Sequence, residues 1–292
     1  MAKTFVRGYL WALELATGQW QQLVPPALER GSATAEGAWP LSRFGHTAAL
    51  LQHDGAMWVF GGVVHQHAAA TAELWRYSPR LQTWSRMGPA TEADGPWPAP
   101  RAFHSMAAIG PHSFVVVGGE STAAASTGEQ KVHDDTWAFD SRTMRWTRLA
   151  AGTGDKLPPT SRACMFALAG KGGSTDAEAA GRGLADGVLL VGGQGDGRAG
   201  EAWWLPQDLS GWQRLRLVAP APSAALLNAA GASVPLGEAG GALVFGGRGP
   251  RGGSGDLWHL HGGGLEALRQ GRPAQTATTR IFVQESSSTD DA

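Results

Sequence analysis

Two histidine pairs are the first chemical signal in this sequence. His65-Gln66-His67 and His259-Leu260-His261 each set two imidazoles two residues apart. On a strand that spacing turns both rings to one face and could seed a metal site. A metal also needs further ligands in matching geometry. The first pair falls in a variable loop. His259 and His261 occupy positions that elsewhere in the chain carry Arg76 and Ser78, or Ala138 and Asp140, so neither a metal nor a cofactor is expected. The single cysteine, Cys164, sits in the apolar run Ala163 to Leu168 and reads as a buried thiol. No Ser-His-Asp ordering, phosphate loop or thiol motif stands out. The remaining chemistry belongs to arginine. Arg43, Arg101, Arg162, Arg198, Arg248 and Arg251 could bind carboxylates or phosphates through paired hydrogen bonds, provided the fold brings them together.

The elements that position these residues come as a repeat. The stretch Phe44 to Trp84 holds two apolar runs, Ala48 to Leu51 and Met57 to Phe60, the second ending in Gly61-Gly62. A variable loop follows, then Glu73-Leu74-Trp75 and a closing Gln82-Thr83-Trp84. Short apolar runs separated by Gly, Pro and Asp turns predict one four-stranded antiparallel meander. The Gly-Gly pair returns at Gly118-Gly119, Gly192-Gly193 and Gly246-Gly247. Four tryptophan pairs recur at a spacing of nine: Trp11 and Trp20, Trp75 and Trp84, Trp137 and Trp146, Trp203 and Trp212. In the last unit Trp258 faces Ala267 instead. Sheets this small, apolar on both faces, become stable by stacking on one another. The Trp and Gly-Gly positions are therefore read as structural.

An Arg-x-x-His opening (Arg43 to His46, Arg101 to His104), a hydrophobic run into Gly-Gly, an acidic residue before a Trp strand and a closing Trp strand resemble the kelch repeat over about residues 9–268. The resemblance implies an all-β, kelch-type β-propeller. Five blades of four antiparallel strands are expected, with an incomplete ring cut down from six as the alternative. The expected organisation is one propeller domain over 1–284, with a partial N-terminal blade at 1–23 and repeats at about 43–87, 101–149, 162–217 and 223–269. A strand at 279–284 is expected to close the ring by pairing with the N-terminal strands. Residues 285–292, acidic and without apolar groups, are expected to be disordered. In the third repeat Met165 is read at the His position, and His46 and His104, recurring at one repeat position, are read as structural.

Bulk properties exclude several classes. A net charge of −1 with 17% charged residues provides no field for nucleic acid or an anionic membrane. No stretch approaches the length of a membrane span and the N-terminus has no signal-like apolar run, so a soluble, cytoplasmic protein is expected. The 42 Gly and 17 Pro fit closely spaced strands and turns.

In a meander the loops alternate faces. Second-to-third-strand loops and the linkers between repeats share one face, where the resemblance places Arg43, Arg101 and Arg162 near the channel mouth, with Arg198, Arg248 and Arg251 in the second-to-third loops. Those six arginines form the expected partner-binding set, for an acidic or C-terminal peptide. The resemblance implies a protein-interaction module, either a scaffold or a ubiquitin-ligase substrate receptor. The competing class is a small-molecule enzyme using the central channel. Against it, copper radical oxidases resembling galactose oxidase need a Cys-Tyr pair, whereas Cys164, Tyr9 and Tyr77 are the only candidates and both tyrosines fall in third strands. Iron-dependent specifier proteins have a Glu-Asp-His spacing that Glu129 and His133 match only in part. Oligomeric state is not encoded in these features.

Overall fold

The computed structural model describes residues 10–23, 39–66, 68–88, 95–122, 130–150, 155–168, 186–194, 201–216, 230–234, 241–245, 248–249, 252–253, 257–261 and 280–281. Among the described residues every regular element is a strand. None is a helix long and apolar enough to cross a membrane. The chain divides into two compact units, one of Met1–Gly152 with Leu157–Ser161, the other of Thr153–Lys156 with Arg162–Ala292.

The first unit contains a two-stranded N-terminal sheet, Leu10–Glu14 with Gln19–Leu23, and two four-stranded antiparallel sheets. The first of these orders Thr47–Leu51, Ala56–Phe60, Leu74–Ser78 and Thr83–Met87; the second orders Ser105–Ala108, Ser113–Val117, Thr136–Asp140 and Arg145–Arg148. Their strands carry β-branched and aromatic residues and are buried on both sides at the second strand, as stacked sheets require.

Register explains the tryptophan spacing. Trp137 and Phe139 lie two apart on one strand and so share a face, and Phe139 pairs across the hairpin with Trp146. Trp75, Tyr77 and Trp84 repeat the arrangement, with Tyr77 opposite Trp84. The Trp146 ring packs 5.0 Å from Phe60 of the preceding sheet and 5.1 Å from Phe139. These rings join Trp58, Phe114 and Leu74 in one core between the two sheets. The linkers contribute as well: Trp39 packs on Trp84, and Trp97 packs on Trp146 while its indole donates to the Ala72 carbonyl at 2.8 Å. In the N-terminal sheet Leu13 pairs with Trp20 in the same manner, but Trp11, Leu13 and Trp20 are exposed.

The second unit holds a four-stranded sheet of Cys164–Leu168, Gly187–Val191, Glu201–Pro206 and Gln213–Arg216, and a further sheet of Ala230–Val234, Gly241–Phe245, Leu257–His261 and Arg280–Ile281. Its core gathers Phe166, Leu189, Trp204, Leu215 and Val244 around Cys164. Burial pushes the Cys164 thiol up to about 12, which makes it inert at neutral pH.

Two expectations are corrected. Where the closing strand was expected to pair with the N-terminal strands, Arg280–Ile281 pairs, among the described residues, with Leu257–His261. It supplies ladder hydrogen bonds to the edge of that strand. The second correction concerns register. Thr47, Ser105 and Cys164 each pair with the residue just before a Gly-Gly. Counting back from them, Thr160 occupies the position of Arg43 and Arg101, and Ala163 the position of His46 and His104. Arg162 instead matches Gly45 and Phe103, and all three have positive φ, at 59°, 66° and 54°. The third repeat therefore lacks the opening arginine, and Met165 is not at the His position. The insert at 171–186 lies almost wholly outside the described residues, as do residues 285–292.

Candidate interaction surface

The Gly-Gly face of the first unit is built on an arginine brace. Arg43 and Arg101 are buried, and each turns its guanidinium back into its own sheet. Arg101 donates to the Ala99 and Gly118 carbonyls at 3.0 and 2.9 Å and to both oxygens of Asp135 at 2.7 and 3.1 Å. Arg43 repeats this with the Leu41 and Gly61 carbonyls, both at 3.1 Å, and with Glu73 at 2.6 Å. The acid then accepts the indole N–H two residues on: Trp137 to Asp135 at 2.8 Å, Trp75 to Glu73 at 3.1 Å.

The electrostatics follow from these contacts. Burial alone would raise Asp135, but the hydrogen bonds and charge of Arg101, with the Trp137 indole, overcome it and hold the carboxyl at about 2. The same balance, with Arg43 in place of Arg101, lowers Glu73. His104 is buried; that burial, followed by the charge of Arg101, lowers it to about 3, so the ring is neutral. Its Nε2 shares a hydrogen bond of 2.6 Å with Thr47 Oγ1 of the preceding sheet, and its ring meets Phe60 edge-on at 5.4 Å. The histidine thus locks one sheet to the next.

Gly61 and Gly118 show why the pair must be glycine. Both have positive φ, and a Cβ on Gly118 would collide with the Thr160 carbonyl, while one on Gly61 would strike the Arg101 carbonyl and the His104 ring.

Above this brace the rim offers aromatic surface. Phe44 is 43% exposed, and its ring lies 6.1 Å from Phe103 of the next repeat. The Phe103 amide donates to the Gly45 carbonyl at 2.7 Å. Phe103 is a bulky residue in the left-handed region at φ 54°. That backbone costs on the order of 1–3 kcal/mol and persists where surrounding contacts hold it. Leu41, two residues before Arg43, is also exposed. The short strands Arg43–Phe44, Val63–Val64 and Ala69–Ala70 form a three-stranded sheet under this aromatic surface. The second-to-third loop of the next repeat is tied in where Ala70 N–H donates to Thr122 Oγ1 at 3.3 Å.

The six predicted arginines divide. Arg43 and Arg101 are engaged inside the fold. Arg162 is half-buried in a left-handed turn. Arg248 lies in the short strand Arg248–Gly249 and pairs with Gly253; Arg198 and Arg251 are outside the described residues. Of the histidine pairs, His65 is exposed, His67 is outside the described residues, and His259 and His261 belong to the strand Leu257–His261. Among the described residues no three His, Cys, Asp or Glu side chains group for a metal. Phe44 directly follows Arg43 and Phe103 stands two residues after Arg101 in the sequence, but only the exposure of Phe44 and its contact with the half-buried Phe103 mark them as surface.

In the first unit, four-stranded antiparallel sheets stacked through tryptophans, each closed at its second strand by a Gly-Gly pair against an arginine brace, define the blade of a β-propeller. Comparison with known families makes this specific: residues 3–222 match the model of the KLHDC2/KLHL20/DRC7 kelch-repeats domain. The chain belongs to the kelch-repeat family, and its fold class is the all-β kelch propeller. Among curated proteins it is similar to multiple epidermal growth factor-like domains protein 8 of Homo sapiens and of Rattus norvegicus, each 30% identical over 163 residues, which are 54% of this chain and 5% of the relative. It is also similar to the Rab9 effector protein with kelch motifs of Bos taurus, 33% identical over 141 residues, 47% of this chain and 31% of that relative. The chain thus spans a third or less of the length of these relatives.

Proposed function

We propose that this chain is a kelch-type protein-interaction module, acting as a scaffold or substrate-recognition subunit, whose Gly-Gly face receives a partner peptide. Kelch domains generally bind proteins, and one relative is named as an effector of Rab9. The observation that carries the reading is the exposed Phe44 ring set against Phe103 on a rim that the buried arginines hold rigid. Paired aromatics on loops fixed by a scaffold are the usual anchors of recognition surfaces. In this reading Arg43 and Arg101 serve recognition indirectly, by fixing the rim. Arg198, Arg248 and Arg251 are a separate candidate set for an acidic or C-terminal peptide, of which Arg248 lies among the described residues, in the second unit.

Affinity capture with the intact chain, followed by mass spectrometry, tests the proposal. A Phe44→Ser, Phe103→Ser double variant that keeps its fold should lose the captured partner. Arg248→Glu should weaken capture if the peptide is acidic. Capture unchanged in both folded variants removes the reading.

A further inference from the structure

The N-terminal sheet is half a blade. Leu10–Glu14 pairs with Gln19–Leu23 and, among the described residues, with no other strand. The tryptophan spacing makes these two the third and fourth strands of a repeat. In the four-stranded sheets of the same unit the third strand is held from both sides: Leu74–Ser78 lies between Ala56–Phe60 and Thr83–Met87, and Thr136–Asp140 lies between Ser113–Val117 and Arg145–Arg148. The second edge of Leu10–Glu14 therefore presents backbone N–H and C=O groups that a further strand would take up. A sheet of two strands is marginal in water, and a third strand beside an apolar face is what secures it.

The side chains point the same way. Trp11 and Leu13 lie on one face, and Trp20 stands opposite Leu13. The corresponding Trp137, Phe139 and Trp146 are buried in a core with Trp58 and Phe60 of the preceding sheet. Trp11, Leu13 and Trp20 are instead 50%, 40% and 64% exposed. Natural sheets keep free edges from pairing with charge or proline, as the exposed Arg145 and Arg148 do on the last strand of the second four-stranded sheet. Leu10–Glu14 has no proline, and no charge before its last residue.

The strand is also complementary to itself. Laid antiparallel on a second copy with Ala12 facing Ala12, it sets Trp11 against Leu13 twice, an aromatic beside an aliphatic side chain on a shared face. Each Glu14 then faces Leu10, and the two carboxylates stand about 14 Å apart along the ladder, so no like charges oppose each other. The joined sheet has four strands, as the two larger sheets of the unit do.

We propose that the N-terminal sheet is a homodimer interface, in which Leu10–Glu14 of two copies pair antiparallel about Ala12 in an isologous two-fold contact. The contact uses neither Phe44 nor Phe103 and stands whether or not that rim binds a partner.

Sedimentation velocity of the intact chain across a wide concentration range tests this. A species of twice the 30.5 kDa chain mass is expected. Leu13→Lys, checked for fold by circular dichroism, should sediment as a single chain, because its ammonium would enter the apolar face beside Trp11 of the second copy. Ala12→Cys reads the register: directly opposed Cβ atoms lie about 5 Å apart, so a short bis-maleimide should link two chains. Leu15→Cys, in the exposed turn, would stand roughly 20 Å from its mate along the ladder and should stay unlinked. The buried Cys164 does not compete for the reagent. A single-chain mass at every concentration means that the edge is covered within the chain or by another protein, and overturns the proposal. So does a dimer that survives Leu13→Lys, or one in which Ala12→Cys links no better than Leu15→Cys.

Discussion

Arg101 and Asp135 form a two-pronged ion pair, with contacts of 2.7 and 3.1 Å, and the arginine side chain has no solvent exposure. The same guanidinium donates to the carbonyls of Ala99 and Gly118, so one side chain ties the entry to the first strand, the end of the second and the start of the third. Arg43 and Glu73 repeat it one sheet earlier.

Removing half of a buried pair leaves the other charge without compensation. Arg101→Ala should therefore destabilise the protein by about 3–5 kcal/mol, measured by chemical denaturation. Arg101→Lys should recover only part of this, because one ammonium cannot serve two carbonyls and both Asp135 oxygens. Arg86→Ala, an exposed member of the Glu73 pair, should cost no more than about 1 kcal/mol.

His104 makes stability depend on acid. Its ordinary value is 6.5 and burial lowers it to about 3 in the folded chain. Above 6.5 both states are neutral. As pH falls below that, the unfolded chain takes up a proton that the folded chain refuses, and stability drops by up to about 1.4 kcal/mol per pH unit until the folded value is reached. Asp135 adds a second, lower window: its stabilising charge is present above its ordinary value of 3.8 and is lost as pH falls toward 2. Denaturation midpoints between pH 7 and 4.5 should decline more steeply for the native chain than for His104→Gln.

Gly118→Ala should be worse than an ordinary surface substitution, by about 1–3 kcal/mol or more, since it combines a left-handed backbone with a collision against the Thr160 carbonyl. Gly55, also at positive φ but with open space around its Cβ position, should lose only about 1–2 kcal/mol on the same change. Thermal midpoints of the two variants separate strain from collision.

Cys164 should react with a thiol reagent only as fast as the protein opens. Its thiol is buried and raised to about 12, so labelling should follow unfolding as denaturant increases. Rapid labelling of the native chain would contradict the packing around Phe166 and Leu189.

Much of the fold was legible because blade formation is local. Trp137 and Trp146 sit nine apart for a reason internal to one hairpin, and Gly118-Gly119 marks the end of its second strand. The candidate surface was much less legible. Arg101 reads equally well as a ligand-binding rim residue or as a brace, since its burial depends on contacts with Asp135, 34 residues away. The misplacement of Arg162 shows the limit of motif reading: a two-residue shift is invisible without strand register, and Thr160 has no resemblance to the arginine it replaces.

The sequence by itself determined an all-strand chain of kelch repeats, because alternating apolar runs, paired glycines and tryptophans at matched spacing act within a few tens of residues. Only the tertiary structure decided that Arg43 and Arg101 face inward, that Phe44 meets Phe103 at the rim, and that Ser141 comes to His53 across 88 residues. Those relations join different repeats, and the hydrogen bonds and ring contacts that set them arise only once one sheet has packed on the next.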